Sequence, residues 1–267
     1  MSIATFVPSE TGAALSTVPA LRHGFFGRVG GVSPGPYQSL NMSESGGDRL
    51  DLVTRNRAIA TRQLGFSAET LLTLAQVHGS HVVTVTEPAE GERPEADALV
   101  TRMSGVVLGI LTADCAPVLL VDPEARVIGA AHAGWKGALS GVIGKTIEAM
   151  ERIGAQRGRI MAAIGPTIAA GDYEVGESFR SAFLGHDPEA EPFFQTPPGG
   201  KPHFDLPGYV LARLRASGVA TAETVGVSTY AAPERYFSHR YATHQGTVTG
   251  RQIALIGWLD ASAGALT

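Results

Sequence analysis

Apolar residues follow two different periodicities along this chain. Segments in which they recur every three or four positions are typical of amphipathic helices. The predicted helices cover residues 51–64, 138–153, 177–184 and 206–217. Short runs of apolar and β-branched residues between turn-forming residues are typical of buried strands. The predicted strands cover residues 70–76, 81–86, 97–101, 105–112, 116–122, 126–131, 160–164, 225–230 and 252–258.

The predicted strands and helices alternate without a strict strand–helix–strand rhythm. This mixture favours a layered α/β (α+β) fold in which a mixed sheet, or two packed sheets, is covered by helices. The sequence shows no low-complexity linker and no internal repeat. We therefore expect a single domain over residues 1–267, in which residues 1–20 form a variable N-terminal segment.

Composition and charge narrow the classes of function. The 267 residues are 44% hydrophobic and 17% charged, which is typical of a soluble globular protein. The net charge of −4 gives no sign of nucleic acid or an anionic membrane as a partner. The longest apolar runs are far shorter than the roughly 20 residues that span a bilayer. The N-terminus does not resemble a signal peptide, so we expect a cytoplasmic protein. The sequence gives no sign of an obligate protein partner.

The chain has one cysteine, Cys115, so an intramolecular disulfide is excluded. If residues 123–124 form a two-residue hairpin loop, Cys115 lies directly opposite His132 in the two flanking strands. Opposed residues of an antiparallel pair share a face, with Cα atoms about 4.5–5.5 Å apart. That separation suits two ligands of one metal, or a thiol–imidazole pair.

A third candidate ligand is His78, which follows a predicted strand. Two histidines and a thiolate are a familiar donor set for a zinc ion that keeps an open position for water. Asp114, beside Cys115, is a candidate to orient a ligand or to shuttle protons. A buried cysteine is also often only a small hydrophobic residue, and His81 competes with His78 for the same role.

Arginines near glycines form a second candidate feature. Arg28 stands beside two glycines, and Arg240 and Arg251 flank a glycine-containing segment. Guanidinium groups near glycine amides suit phosphate or carboxylate binding. The chain contains no Walker A motif, no dinucleotide-binding glycine motif and no GxSxG nucleophile motif.

Several blocks along the chain resemble the YfiH/laccase-domain family, bacterial proteins described first as polyphenol oxidases and later as purine nucleoside phosphorylases. The blocks are RVGGVSPGPYQSLN (28–41), QVHG (76–79), DALVT (97–101), TADCAPVLLVD (112–122), HAGWKG (132–137), IGPTIAAGDYEVG (164–176) and FSHRYATHQGTVTGR (237–251). They occur in order, and the resemblance as a whole covers about residues 24–258, which makes it specific.

This resemblance implies a YfiH-like layered fold and a catalytic zinc bound by His78, Cys115 and His132. It implies phosphorolysis of adenosine, inosine and methylthioadenosine to the free base and the sugar 1-phosphate, together with deamination of adenosine. The expected partners are purine nucleosides and inorganic phosphate. The candidates for holding phosphate or ribose are Arg28, Asn41, His81, Lys136 and Arg240.

Two departures from the family pattern affect these candidates. Lys136 stands where the family commonly has arginine, so the positive charge is kept but bidentate geometry is lost. Arg240 is followed by Tyr241 where the family often has a second arginine. That difference weakens the hypothesis of a two-arginine anion clamp.

Three alternative functions remain open. A four-copper laccase needs clustered His-x-His motifs, which are absent among the 8 histidines, although copper binds such donors more tightly than zinc in vitro. A cysteine hydrolase would use Cys115 as nucleophile and His132 as base, with Asp114 or another group as orienter, on an amide of a cell-wall precursor. The third alternative is a nucleoside-binding protein without catalysis.

Overall fold

The computed structural model describes residues 7–87 and 91–260, and it contains strands and helices throughout. The strands are β1 (Ser9–Glu10), β2 (Leu21–Phe26), β3 (Leu71–Leu72), β4 (Val82–Val85), β5 (Ala98–Thr101), β6 (Val107–Thr112), β7 (Ala116–Asp122), β8 (Val127–Ala133), β9 (Met161–Ile164), β10 (Phe194–Gln195), β11 (His203–Phe204), β12 (Thr221–Thr224) and β13 (Gln252–Trp258). The helices are α1 (Leu50–Gln63), α2 (Trp135–Leu139), α3 (Val142–Arg152), α4 (Glu177–His186), α5 (Leu206–Ala216) and α6 (His239–His244).

Most strands belong to two mixed sheets. The first has five strands in the order β1-β2-β13-β6-β3, in which only the β3–β6 pair is parallel. The second has six strands in the order β12-β9-β7-β8-β5-β4, with parallel pairs at its two edges. The prediction of mixed sheets covered by helices is confirmed.

The apolar residues of the strands divide between three cores. On β6, Leu108 and Ile110 face the second sheet, whereas Val107 and Leu111 belong to the core under α1. The opposite face of the second sheet packs against apolar residues of α3 and α5. Because successive side chains of a strand point to opposite faces, continuous apolar strands can serve two cores at once. The result is a helix–sheet–sheet–helix layering.

The predicted helices and strands are largely confirmed, with three instructive differences. The predicted helix 138–153 is divided into α2 and α3 at Gly141, which adopts a positive φ of 82°. The predicted strand 225–230 is wrong, since the strand is β12 and the chain leaves the sheet at Gly226, where φ is 70°. Strand β2 was not predicted, because Arg22, His23 and Gly24 interrupt its apolar pattern.

The hairpin between β7 and β8 has a longer loop than predicted. Asp122 pairs with Val127, so the loop has four residues, and Asp122 Oδ1 accepts the N–H groups of Glu124 and Ala125. His132 therefore lies opposite Pro117 rather than opposite Cys115. The register differs from the prediction by two residues, so Cys115 and His132 still share a face, as diagonal neighbours.

Two other predictions extend beyond the described residues. The single domain over 1–267 stays a prediction, as does the variable segment 1–20, of which residues 1–6 lie outside the described part. Within residues 7–87 and 91–260, each helix is too short or too polar to cross a lipid bilayer.

Gly165, directly after β9, provides a test of the packing between the two sheets. A Cβ atom at this position would lie 2.1 Å from Cδ1 of the buried Phe25. We expect Gly165→Ala to lower the free energy of unfolding by about 1–3 kcal/mol, measured by urea denaturation, because overpacking forces the ring or the backbone to move. Gly171→Ala, where the added methyl meets open space, is the matched control. Equal stability of both variants would contradict the packing described here.

Candidate metal centre and its cavity

Three side chains that could ligate a metal converge at one end of the second sheet. Ligand atoms of His78, Cys115 and His132 all lie within 4.8 Å of one another. His132 is buried on β8, Cys115 is half-buried just before β7, and His78 is exposed in the loop after β3. The two imidazole rings are nearly perpendicular, with centroids 4.8 Å apart. The structure therefore brings together the three donors proposed from the sequence.

The space between the three donors exists because residue 134 has no side chain. A Cβ atom on Gly134 would lie 3.0 Å from Cys115 Sγ and 3.1 Å from His78 Cδ2. Contacts of this length are too close for a carbon atom to be accommodated without movement. The donor set of two imidazoles and one thiol fits zinc, and its chemistry also fits copper.

Asp97, which the sequence analysis did not select, connects two of the donors. Its buried Oδ1 lies 2.7 Å from His132 Nδ1 and also accepts the backbone N–H of His78 at 3.0 Å. Its Oδ2 accepts the N–H of Gly79 at 2.6 Å. A carboxylate on Nδ1 leaves Nε2 of His132 free to ligate a metal. The sequence did offer one sign of its importance, because Asp97 is a carboxylate directly before the apolar strand β5.

The backbone of His78 needs this support. Its φ is +58°, a left-handed conformation that is uncommon for residues other than glycine. The two successive amides of His78 and Gly79 both donate to Asp97, which holds the loop in this conformation. Asp97 thus orients one histidine through its ring and the other through its backbone.

The charges of the site are strongly coupled. Burial raises the pKa of the Cys115 thiol, but the neighbouring His132 and His78 outweigh that effect and lower the pKa to about 6. Burial lowers the pKa of His132, but the Cys115 thiolate and Asp97 outweigh it and raise the pKa to about 9. Without a metal, the two side chains therefore form a thiolate–imidazolium pair near neutral pH.

The three donors open onto a cavity of about 560 Å³. That volume lies within the usual range of small-molecule sites, about 300–1,000 Å³. The wall combines apolar residues with the aromatic rings of Trp135 and Tyr173. Its cationic side chains are Arg57, Arg93, Arg240 and Arg251. The cavity therefore places a candidate metal centre and several guanidinium groups around one volume.

The sequence profile of a family described as multi-copper polyphenol oxidoreductase laccase matches residues 22–259. This chain belongs to that laccase-domain family. The match covers most of the chain and confirms the resemblance recognised from the sequence blocks.

Relatives in this family carry the name purine nucleoside phosphorylase. One from Deinococcus radiodurans is 43% identical over 242 residues, which make up 89% of this chain and 89% of the relative. Another, from Streptomyces griseus, is 40% identical over 238 residues, which make up 88% of this chain and 93% of the relative.

Solved structures show the same fold. The protein NMB0706 of Neisseria meningitidis has a TM-score of 0.81 at 36% identity, and the match covers 91% of this chain and 96% of that one. YlmD of Geobacillus stearothermophilus has a TM-score of 0.84 at 28% identity, with 96% and 100% coverage.

Asp114 and Arg240, both proposed from the sequence, lie on the cavity wall of this laccase-domain protein. Asp114 Oδ1 accepts a hydrogen bond from Thr229 Oγ1 at 2.7 Å, and Oδ2 accepts the backbone N–H of Arg240 at 2.6 Å. These contacts hold the start of α6 against the cavity. The proposed proton-shuttle role of Asp114 stays a prediction.

Arg28 and Asn41 lie behind the cavity wall and do not reach it. The guanidinium of Arg28 donates to the backbone carbonyls of Gln38, Pro233 and Pro36, and it stacks on the Phe237 ring. Each of its three nitrogens thus donates to the protein itself, and Arg28 does not line the cavity, so the structure gives no support to a phosphate-binding role.

The buried Asn41 does not line the cavity but contacts two residues that do. Its Oδ1 accepts the backbone N–H groups of Ser43 and Arg251, at 3.0 and 2.9 Å. Both of these residues line the cavity. Asn41 thus positions two wall residues, which differs from the direct contact with ligand expected from the sequence.

His81 and Lys136 also lie outside the cavity wall. His81 is exposed, and its Nδ1 contacts the carbonyl of Glu95 at 3.1 Å. Lys136 places its Nζ 5.5 Å from the centroid of the Trp135 ring. Neither residue lines the cavity onto which the three donors open.

The sequence analysis missed the cationic residues Arg57 and Arg93. Arg57 lies within the predicted helix 51–64, and its Nε and Nη2 donate to the Met42 carbonyl at 3.0 and 2.8 Å. Its Nη1 forms an ion pair with Glu44 at 2.7 Å. Arg57, Arg93 and the loop that carries Met42 and Glu44 are brought together only by the fold. No local sequence pattern could therefore identify the two arginines.

Asp97 provides a test of how the donors are oriented. We expect Asp97→Asn to weaken zinc binding about 10–100-fold, measured by competition with a chelator, because His132 loses its carboxylate partner. Asp122→Asn is the matched control, since Asp122 is equally buried but lies at the far end of β7. It should lower stability and leave zinc affinity unchanged. Unaltered zinc affinity in Asp97→Asn would contradict the assigned role.

The thiolate–imidazolium pair provides a test by pH titration of the metal-free protein. The ultraviolet absorbance of the Cys115 thiolate should disappear only as the pH falls through about 6, since the folded protein depresses this pKa. The stabilisation from the pair should also be lost as the pH rises through about 9, where His132 loses its proton. In His132→Gln the thiol should titrate at a higher pH. An ordinary thiol pKa in the unaltered chain would refute the pairing.

Proposed function

We propose that this protein is a zinc-dependent purine nucleoside phosphorylase. The observation that carries the proposal is the opening of His78, Cys115 and His132 onto a cavity that also carries several guanidinium groups. Support comes from the Deinococcus radiodurans relative named purine nucleoside phosphorylase, which is 43% identical to this chain. The proposed substrates are adenosine, inosine and methylthioadenosine, each with inorganic phosphate.

The proposed reaction exchanges one bond at the sugar for another. An oxygen of phosphate forms a bond to C1′ while the bond from C1′ to N9 of the purine breaks. The electron pair leaves with the purine, which takes up a proton, and the sugar 1-phosphate is released. Positive charge develops on the sugar in the transition state, so a phosphate held beside it also stabilises it electrostatically.

The cationic end of the cavity is the proposed phosphate site. Arg57, Arg93 and Arg251 line this end together with the hydroxyl-bearing residues Ser43 and Ser45. Guanidinium groups and hydroxyls are donors that suit phosphate oxygens. This location replaces the sites around Arg28 and His81 that the sequence suggested.

The aromatic residues of the wall are the proposed contacts of the purine base. Trp135 is half-buried at the start of α2, which follows β8 and its ligand candidate His132. The Tyr173 ring lies under the Arg240 guanidinium, whose Cζ is 5.2 Å from the ring centroid. A planar heteroaromatic base gains favourable contact with such rings. Arg240 is thereby held between the carbonyl of Glu174 and the Tyr173 ring.

The residues proposed to hold zinc are His78, Cys115 and His132. When bound, zinc with three protein ligands supplies Lewis acidity at an open coordination position. The chain contributes a Cys115 side chain with a depressed pKa, a His132 ring oriented by Asp97, and free space at Gly134. Deamination of adenosine, in which water adds at C6 and ammonia leaves, is proposed as a second activity of the same cavity.

A cysteine hydrolase is the second candidate, and one observation favours it. Such enzymes use a nucleophile, a base and a carboxylate that orients the base. Here these would be Cys115, His132 and Asp97, respectively. The orienting carboxylate is Asp97 rather than Asp114. The substrate in this case would be an amide of a cell-wall precursor, and the reaction would need no metal.

Copper oxidase chemistry has less support. Among the described residues, the His/Cys group close enough to hold a metal consists of His78, Cys115 and His132. A laccase that holds several copper ions needs further histidine clusters. Copper can bind these three donors in vitro, so oxidase activity that requires added copper would count as adventitious.

The deciding experiment incubates zinc-loaded protein with adenosine, with and without inorganic phosphate. We expect adenine only when phosphate is present, and inosine under both conditions. His78→Ala, Cys115→Ala and His132→Ala should each lower both activities more than about 100-fold, since each removes a donor. His186→Ala, an exposed histidine on α4, is the matched control.

Three results would contradict the proposal. One is the absence of phosphate-dependent adenine release. Another is full activity of Cys115→Ala. A third is full activity of metal-free protein that is abolished by alkylation of Cys115, which would favour the hydrolase.

A further inference from the structure

Glu44 is an acidic residue within the cationic end of the cavity. Its Oε1 lies 2.7 Å from Arg57 Nη1, and its Oε2 contacts Arg93 Nη2. Glu44 and both arginines line the cavity. The two oxygens of this carboxylate therefore each pair with a different guanidinium group of the proposed phosphate site.

Arg57 has little capacity for a further anion while Glu44 is in place. Its side chain is only 13% exposed. Two of its nitrogens, Nε and Nη2, already donate to the Met42 carbonyl. Nη1, the third nitrogen, faces Glu44. An anion that approaches Arg57 Nη1 from the cavity therefore competes with the Glu44 carboxylate for this nitrogen.

Glu44 is able to leave this position. Its side chain is 31% exposed, and it belongs to the loop between Asn41 and α1 rather than to a helix or strand. Its partner Arg93 is 39% exposed, and ion pairs of such exposure contribute only modestly to stability. A phosphate dianion carries more charge and more acceptor atoms than a carboxylate, so it can replace Glu44 with a net gain in attraction.

We propose that Glu44 is a built-in competitor of phosphate, which occupies Arg57 and Arg93 until inorganic phosphate displaces it. This inference rests on the proposed phosphorylase function for its role in catalysis. Arg251 and the Ser43 hydroxyl remain on the wall beside the pair, and Asn41 fixes the backbone of both residues. They offer an arriving phosphate its first contacts.

Displacement also determines which anions the site accepts. A monovalent anion such as chloride gains nothing by replacing a carboxylate of equal charge, whereas a dianion does. Glu44 thereby makes the site selective for doubly charged anions. Without it, the guanidinium groups would also be open to chloride, which is a common competitor of phosphate for arginine.

The test compares Glu44→Gln with the unaltered chain and with Glu151→Gln. Glu151 is a matched control because its side chain is 30% exposed and it is also paired with an arginine, Arg157, away from the cavity. The KM for phosphate, at saturating adenosine, should fall about two- to five-fold in Glu44→Gln, in keeping with the strength of a partly exposed ion pair such as Glu44–Arg93. The kcat should be unchanged, and inhibition by chloride should become stronger.

Calorimetry of the zinc-loaded protein with inorganic phosphate provides a readout that does not depend on turnover. Tighter phosphate binding by Glu44→Gln, with Glu151→Gln unchanged, supports the competition. Tighter binding in a protein that releases no adenine would retain this inference and reject the phosphorylase. An unchanged or weaker phosphate affinity in Glu44→Gln would overturn the inference, because Glu44 would then only position the two arginines.

Discussion

The carboxylate of Asp97 is the contact on which the site depends. A fully buried charge is costly unless it is compensated, and Asp97 receives the His132 ring together with the amides of His78 and Gly79. Those partners belong to a loop and to β8, which are distant in sequence. One buried acid thus joins three segments of the chain and sets the orientation of two histidines, so the donors are arranged before any ligand arrives.

The parts of the site that follow from short-range geometry could be predicted from the sequence. Cys115 and His132 share a face because strand periodicity depends only on whether the loop length is even or odd, and a four-residue loop preserves that parity. The arginines of the proposed phosphate site could not be predicted in this way. Arg57 reaches the cavity because α1 packs on the first sheet. Arg28 lies in a glycine-rich segment that suggested phosphate binding, but its guanidinium donates to backbone carbonyls instead.

The cavity combines two regions that are built differently. The donor end is formed by residues at the adjoining ends of β7 and β8 and by the loop that carries His78, which the buried Asp97 carboxylate joins to β8. The cationic end is formed by loops and long side chains whose backbone is held by the buried amide of Asn41. Donors held by several hydrogen bonds favour a fixed reaction geometry, whereas the Arg93 side chain at the cationic end is 39% exposed to solvent. This division agrees with a reaction in which one substrate is a small, exchangeable anion.

The missing side chain at position 134 separates the two chemistries that this site could perform. Gly134 has an ordinary extended backbone, with φ −70° and ψ 164°, which alanine can also adopt. A methyl group there would press on Cys115 and His78, yet it would leave the contact between His132 and Asp97 intact. Alanine at this position would therefore crowd two of the three metal donors while the thiol–imidazole pair keeps its carboxylate partner.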